Sequence, residues 1–356
     1  MKEYVLKDEI AMVPACMSIN DRGIWFINAM LPIIYFYDFK EEKVNWYKVI
    51  PKCKNSQLYS FLGIYEYENK LFLIPDNANK VMVYDKIKDF FREIEINDIS
   101  YGAFRGCTCL DNILYCIPFK YNKIIGIDVV TDKIVHEIEW RKTNGLSDVN
   151  YINDYAVQGE RLLAVVPHKN MVLKCNLKER TWDSFYVGGE NNSYVAIGCL
   201  NNTGYLFDLH NNSIHCCNID EKRINTCMQI ESKAVRITTG RDYLILDNVL
   251  DDKWILMDKN HNVVRQDAYN YRDIKNAFST PYNYACWGQN EKGNLIGIDN
   301  YNHIIEIDAK GNKKEKFLFV DRHIWEKSLT DNDIINELGF YQENDVYSLP
   351  FFINLL

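Results

Sequence analysis

The chain has 356 residues, 47% of them hydrophobic and 25% charged, a globular balance that excludes an extended disordered polypeptide and leaves room for two ordinary domains or one large repetitive one. A net charge of −8 with no basic stripe excludes nucleic acid as a partner, because a phosphate backbone must be neutralised by clustered Lys and Arg. With 24 Tyr, 17 Phe and 7 Trp beside 17 Gly, the composition favours strands, since aromatic side chains suit a pleated, half-buried surface.

The opening MKEYVLKDEI lacks a basic region followed by a long apolar run, and no window reaches about 18 uninterrupted apolar residues, so neither export nor membrane association is expected. The 11 Cys are an odd number without framework spacing, and Cys107/Cys109 and Cys216/Cys217 stand too close to act as zinc knuckles. Free thiols in a reducing cytoplasm are the expectation.

Further along, the stretch LFLIPDNANKVMVYD (71–85) is rewritten as ILYCIPFKYNKIIGID (113–128). Anchored on its closing Asp or Asn, the phrase occurs seven times, ending at Asp38, Asp85, Asp128, Asn176, Asn218, Asp258 and Asp308. The average interval of about 45 residues matches a four-stranded propeller blade and is too variable for a short-period solenoid.

The second copy is the clearest. Residues 62–67 supply a first strand, 68–70 a polar hairpin connection, 71–74 a strand apolar on both faces, 81–84 a third strand, and 91–96 a more mixed outer strand. The fourth copy, anchored on Asn176, is the weakest. In the fifth, 194–200, 205–209, 214–219 and 226–230 repeat the plan around the turn 201–204. In the seventh, 284–288, 295–299, 304–308 and 316–320 do the same.

In period and strand pattern, residues 11–320 resemble the seven-bladed propellers of the WD-repeat-like and Kelch-like superfamily. Trp182-Asp183 is the one WD dipeptide, Gly188-Gly189 the one diglycine, and the Ser-x-Asp-x-Gly-x-x-Trp box of sialidase propellers is absent. The fold expected is therefore all-β: a single seven-bladed β-propeller of four-stranded antiparallel blades over 1–320. Residues 321–356 form a short, partly helical tail that packs on the propeller or closes it. Thr330 or Asp331 could cap a helix there, and Pro350 suits the first turn of another.

The closing Asp and Asn residues sit where a strand meets a turn, and their side chains are expected to bond backbone N–H groups of that turn rather than form a catalytic set. The turns inside the phrase should instead gather on one face with the connections between blades, and loops on a rigid scaffold carry function. They supply Asp76 and Asn77, Lys120 and Tyr121, His168 and Lys169, His210, and Tyr301 and His303. Two connections are unusually long: 140–151, with Arg141 and Lys142, and 269–284, with Tyr271, Arg272, Phe278 and Tyr282. Amide, imidazole and cationic groups beside Tyr rings suit a protein, peptide or carbohydrate-like ligand.

No metal or other cofactor is expected, since neither His-x-His nor His-Glu-x-x-His occurs, and His136 lies off the phrase turns. Nucleophile-elbow and phosphate-cradling motifs are also missing. The expected function is a monomeric binding or scaffolding module, with a lyase or hydrolase acting on a sugar or modified peptide at the channel mouth as the alternative.

Overall fold

Each copy of the repeated phrase forms the second and third strands of a four-stranded antiparallel sheet. In the second copy the strands Phe61–Tyr67, Lys70–Pro75, Lys80–Asp85 and Phe90–Glu95 pair in chain order. Seven such sheets follow one another, so the chain is an all-β protein of the seven-bladed β-propeller class. The computed structural model describes residues 14–28, 32–51, 61–100, 102–141, 146, 149–166, 168–230, 235–248, 253–268, 286–299, 303–320, 323–324 and 327–328. Among these, no helix is long and apolar enough to cross a membrane.

Burial explains why the phrase is so apolar. Leu71, Phe72, Leu73 and Ile74 are fully buried and Val81 to Tyr84 nearly so, whereas Phe90–Glu95 is mostly exposed. Second and third strands are covered on both faces, each buried Leu, Ile or Phe contributing about 1.5–3 kcal/mol.

The hairpin turns follow from local chemistry. At Asp111-Asn112 and Asn201-Asn202 all four residues have positive φ, the two-residue turn that matches strand twist and that Asn and Asp tolerate. All seven phrase-closing residues behave as expected. Asp38, Asp85, Asp128, Asn176 and Asn218 accept backbone N–H bonds from residues two and three ahead, and Asp258 and Asp308 from two and four ahead. Those N–H groups hold the Asp38, Asp85 and Asp128 carboxyls below their usual pKa range.

The chain divides into two compact units. The unit Phe61–Ala268 holds the second to sixth sheets; the first strands of the second and third lie against each other, as do those of the fourth and fifth and of the fifth and sixth. A side chain reaching between the third and fourth explains one glycine: a Cβ on Gly106, in the strand Phe104–Leu110, would fall on the Tyr155 hydroxyl of the strand Asp154–Gln158.

The other unit, Met1–Ser60 with Tyr269–Leu356, holds the first and seventh sheets. The strand expected over 316–320 differs here. The fourth strand of the seventh sheet is Lys313–Phe317, and Phe319–Val320 crosses to lie parallel on Lys43–Val49, the outer strand of the first sheet, with Phe319 opposite Lys43 and Val320 opposite Val44. Leu318, between the two strands, is buried in a cluster with Phe26, Tyr35, Ile296 and Ile304. An otherwise open sheet edge thus receives a partner. Beyond it, Ile324 packs against the same cluster and the Ser328 hydroxyl lies 2.9 Å from that of Tyr35.

Candidate functional site

Within the unit Phe61–Ala268, backbone hydrogen bonds stitch together the turns that the sequence singles out. Ala103 N–H donates to the Asp76 carbonyl at 2.9 Å, Lys120 N–H to Gly102 at 2.9 Å, Phe119 N–H to Ala103 at 2.8 Å, and Ile152 N–H to Phe119 at 2.9 Å. The phrase turns of the second and third sheets and the end of the long connection 140–151 therefore form one continuous surface.

That connection has two jobs. Trp140, Leu146 and Val149, with Ile152 just after it, are buried with Ala164, Val166 and Leu173 of the fourth sheet, so these residues are cover. Arg141 donates 2.7 Å bonds to the carbonyls of Lys120 and Asn150 and lies over the Trp140 ring, which pins the loop to the neighbouring turn. Tyr151 then meets Phe119 edge to face, with centroids 5.2 Å apart.

Around this aromatic pair stand two cations. The Arg105 guanidinium lies 5.4 Å from the Phe119 centroid and the Lys120 ammonium 5.6 Å. Asp76 is beside them, only 8% exposed, and its Oδ1 has no hydrogen-bond partner. Burial pushes its pKa up to about 6, against the pull of Arg105 and Lys120. Asp154, on the next sheet, is also raised by burial and opposed chiefly by Arg105, with a 3.1 Å bond from Ile197 N–H and the charge of Arg236 acting the same way. The surface thus pairs exposed cations with a carboxyl that can hold a proton near neutrality.

The other predicted residues have varied positions. Asn77 is buried, its Oδ1 accepting the Gly102 N–H at 3.2 Å. Tyr121 is buried against Phe104, and its hydroxyl donates to the Asn97 carbonyl at 2.8 Å, so it shapes the turn from beneath. His168 is an exposed turn residue with φ of 59°, and the Lys169 carbonyl accepts from Tyr194 N–H. His210 is exposed, with Nδ1 2.7 Å from the Asn191 carbonyl. Asp208 below it is fully buried and closed off by Asn192, Ser193, His210 and Asn211, bonds that outweigh burial and hold its pKa low. The contrast with Asp76 is direct: one buried carboxyl is satisfied by its own turn and by residues 192–193, whereas the other keeps an oxygen without a hydrogen-bond partner. His136 lies on an outer strand, stacked against Tyr115.

His303 belongs to the other unit. It is 4% exposed, with Nδ1 2.9 Å from Asp299 Oδ2, and Asp299 Oδ1 accepts the His303 N–H. Burial lowers its pKa, but the Asp299 hydrogen bond and charge, with Glu315, raise it overall. Tyr271, Arg272 and Tyr301 lie outside the described residues. Among the described residues, no group of three or more His, Cys, Asp or Glu is placed to hold a metal.

Arg105, Asp154 and Arg236 had no motif in the sequence. They are ordinary-looking residues at the starts of first strands. A charged residue inside a short strand was the only available signal.

No family model and no curated protein matches the chain by sequence. Solved structures do resemble it. Virginiamycin B lyase from Staphylococcus aureus is 15% identical with a TM-score of 0.63, over 84% of this chain and 97% of that one. A streptogramin B lyase is 12% identical with a TM-score of 0.62, over 82% and 93%. BamB from Moraxella catarrhalis is 10% identical with a TM-score of 0.51, over 87% and 90%. At these identities the likeness is one of fold, and the fold that they share with this chain is the β-propeller.

Proposed function

We propose that the chain is a binding module whose ligand face is the surface joining the turns around Asp76, Phe119 and Lys120 to Tyr151. The observation that carries this reading is Asp76: a buried carboxyl with an unpartnered oxygen is costly, and such costs concentrate at functional sites. A ligand N–H or O–H would satisfy Oδ1, a carboxylate on the same ligand would meet Arg105 and Lys120, and flat groups would pack on Phe119 and Tyr151. An acidic peptide segment offers all three, and a carboxylated carbohydrate is the second ligand class. Cys107, Cys109, Cys116, Cys175, Cys199 and Cys217 are free thiols, which fits a reducing, cytoplasmic setting.

The alternative is a lyase or hydrolase at the same place, favoured by the pKa of about 6 at Asp76, near the operating range of a general acid or base. Fluorescence anisotropy against arrays of acidic peptides and uronate-containing oligosaccharides tests the module, with mass spectrometry of the recovered ligand. Selective binding of an unchanged ligand, weakened about tenfold or more by Arg105→Ala, is expected. Binding indifferent to Arg105→Ala would remove the site, and turnover abolished by Asp76→Asn would convert the reading to the enzyme.

A further inference from the structure

The other unit holds a cleft of about 310 Å³ between the first and seventh sheets, at the sheet ends that carry the closing Asp turns. That is the small end of the size range for small-molecule sites, with room for one compact ring. Its floor is apolar: Tyr37 and Phe39 from the first sheet, in edge-to-face contact at 6.1 Å, face Ile296 and Ile304 from the seventh. One polar group interrupts that floor. Tyr37 is only 2% exposed, and its hydroxyl makes no hydrogen bond among the described residues.

The rim carries both signs of charge in balance. Lys316 is spent on Glu42, which leaves Asp21 and Glu306 against Lys292 and Lys314. Ladder register sets Ile296, Glu306 and Lys314 opposite one another across the last three strands of the seventh sheet, so floor and rim share one face. Glu306 Oε1 accepts the Asn294 side-chain amide at 2.8 Å, and Asn290 Oδ1 accepts the Asn294 backbone N–H at 2.9 Å. Both side chains are thereby held in place, while Glu306 Oε2 and the Asn290 amide N–H groups stay unspent among the described residues. Asp21, Lys292 and Lys314 have no ion pair or hydrogen bond among those residues either. The cleft therefore offers acceptors, donors and a phenol hydroxyl around an apolar floor, with no net charge.

We infer that this cleft binds a single neutral sugar ring. A pyranose has a face of C–H groups and a perimeter of hydroxyls, each able to donate and to accept. The C–H face lies on Tyr37, Phe39, Ile296 and Ile304. Neighbouring hydroxyls donate to the Asp21 and Glu306 carboxylates and accept from Lys292, Lys314 and Asn290, most of these being charge-assisted bonds. A balanced rim gives a carboxylated or amino sugar no advantage, and a purely apolar occupant would leave the Tyr37 hydroxyl unmet. None of these residues belongs to the Asp76 surface, so the assignment does not rest on that reading. Because the cleft lies between the two sheets that Phe319–Val320 also ties together, an occupant bridges them and stabilises the folded state.

Methyl glycosides of glucose, galactose, mannose and N-acetylglucosamine serve as probes on the full chain, by isothermal titration, saturation-transfer NMR and thermal shift. Tetrahydropyran-2-methanol is the ring without its perimeter of hydroxyls, and methyl glucuronide and methyl glucosaminide are the charged counterparts. The expected result is binding of at least one neutral glycoside, about tenfold or more tighter than tetrahydropyran-2-methanol and unsurpassed by either charged sugar, with a raised melting temperature. Asp21→Ala, at an exposed turn position and so compatible with folding, should weaken that binding about tenfold, and Tyr37→Phe, which keeps the ring, about fivefold. Arg105→Ala should leave it unchanged. The assignment is overturned by no binding of any neutral glycoside at millimolar concentration, by a charged sugar bound more tightly than every neutral one, or by unchanged affinity in both cleft variants. Weakening by Arg105→Ala would also overturn it, by moving the sugar to the Asp76 surface.

Discussion

Asp76→Asn should make the protein more stable, and the gain should depend on pH. The carboxyl's pKa is raised by burial from 3.8 to about 6. At about 1.4 kcal/mol per unit, the anion is disfavoured in the fold by roughly 3 kcal/mol. The sign follows from proton linkage: between about pH 4 and pH 6 the unfolded chain has lost this proton while the folded chain keeps it, so stability falls as pH rises through that window and is flat above it. Asn has the same shape and no charge, but leaves an amide to be satisfied in a site where Oδ1 has no partner, at about 1 kcal/mol. The net gain expected at pH 7.5 is therefore about 1–2 kcal/mol, disappearing by pH 4. Urea unfolding followed by Trp fluorescence at pH 4, 6 and 7.5 reads this directly. Equal stability of the two proteins at pH 7.5, or a gain independent of pH, would refute the claim that the site holds a carboxyl against its burial cost. Loss of ligand binding in the same variant would link that cost to function.

Three further outcomes follow from the packing. Gly106→Ala places a methyl group on the Tyr155 hydroxyl and should cost about 1–3 kcal/mol in urea unfolding, whereas Gly159→Ala, in open space but at positive φ, reports backbone strain alone. His303→Gln removes an imidazole whose folded pKa is raised; the charge-dependent stabilisation is complete below its unfolded pKa and is lost as pH rises through the folded one. The deficit of the variant should then be larger at pH 5.5 than at pH 8.5, and a deficit constant with pH would count against the Asp299 pair. Ser328→Ala removes a hydroxyl partner of buried Tyr35 and should lower stability by about 1 kcal/mol, an unchanged midpoint showing that this hydrogen bond contributes nothing to the first sheet.

The turns were legible because their causes are local. An Asp or Asn that closes a strand finds its acceptors' donors two to four residues ahead, so the role of Asp128 or Asn218 could be stated from sequence spacing. The apolar second and third strands were legible for a similar reason, since burial on both faces leaves no alternation. The candidate site was only half legible. Lys120 and Asp76 were named from their turn, but so were Asn77 and Tyr121, whose polar atoms are spent on Gly102 and Asn97. Neighbouring turn residues read alike in sequence, and only packing decides which point inward.

The chain's repeat, through its local periodicity and its turn-forming side chains, dictated seven four-stranded sheets and the order of strands within each. Which sheet Phe319–Val320 would join was a tertiary matter, because an apolar tripeptide after a charged strand pairs equally well in sequence with either neighbour, and the open edge of Lys43–Val49 selected it. The tertiary structure also brought Arg105 beside Phe119 and left Asp76 Oδ1 without a hydrogen-bond partner. Such sites depend on groups from different sheets, separated by tens of residues, whose mutual distances no local pattern records.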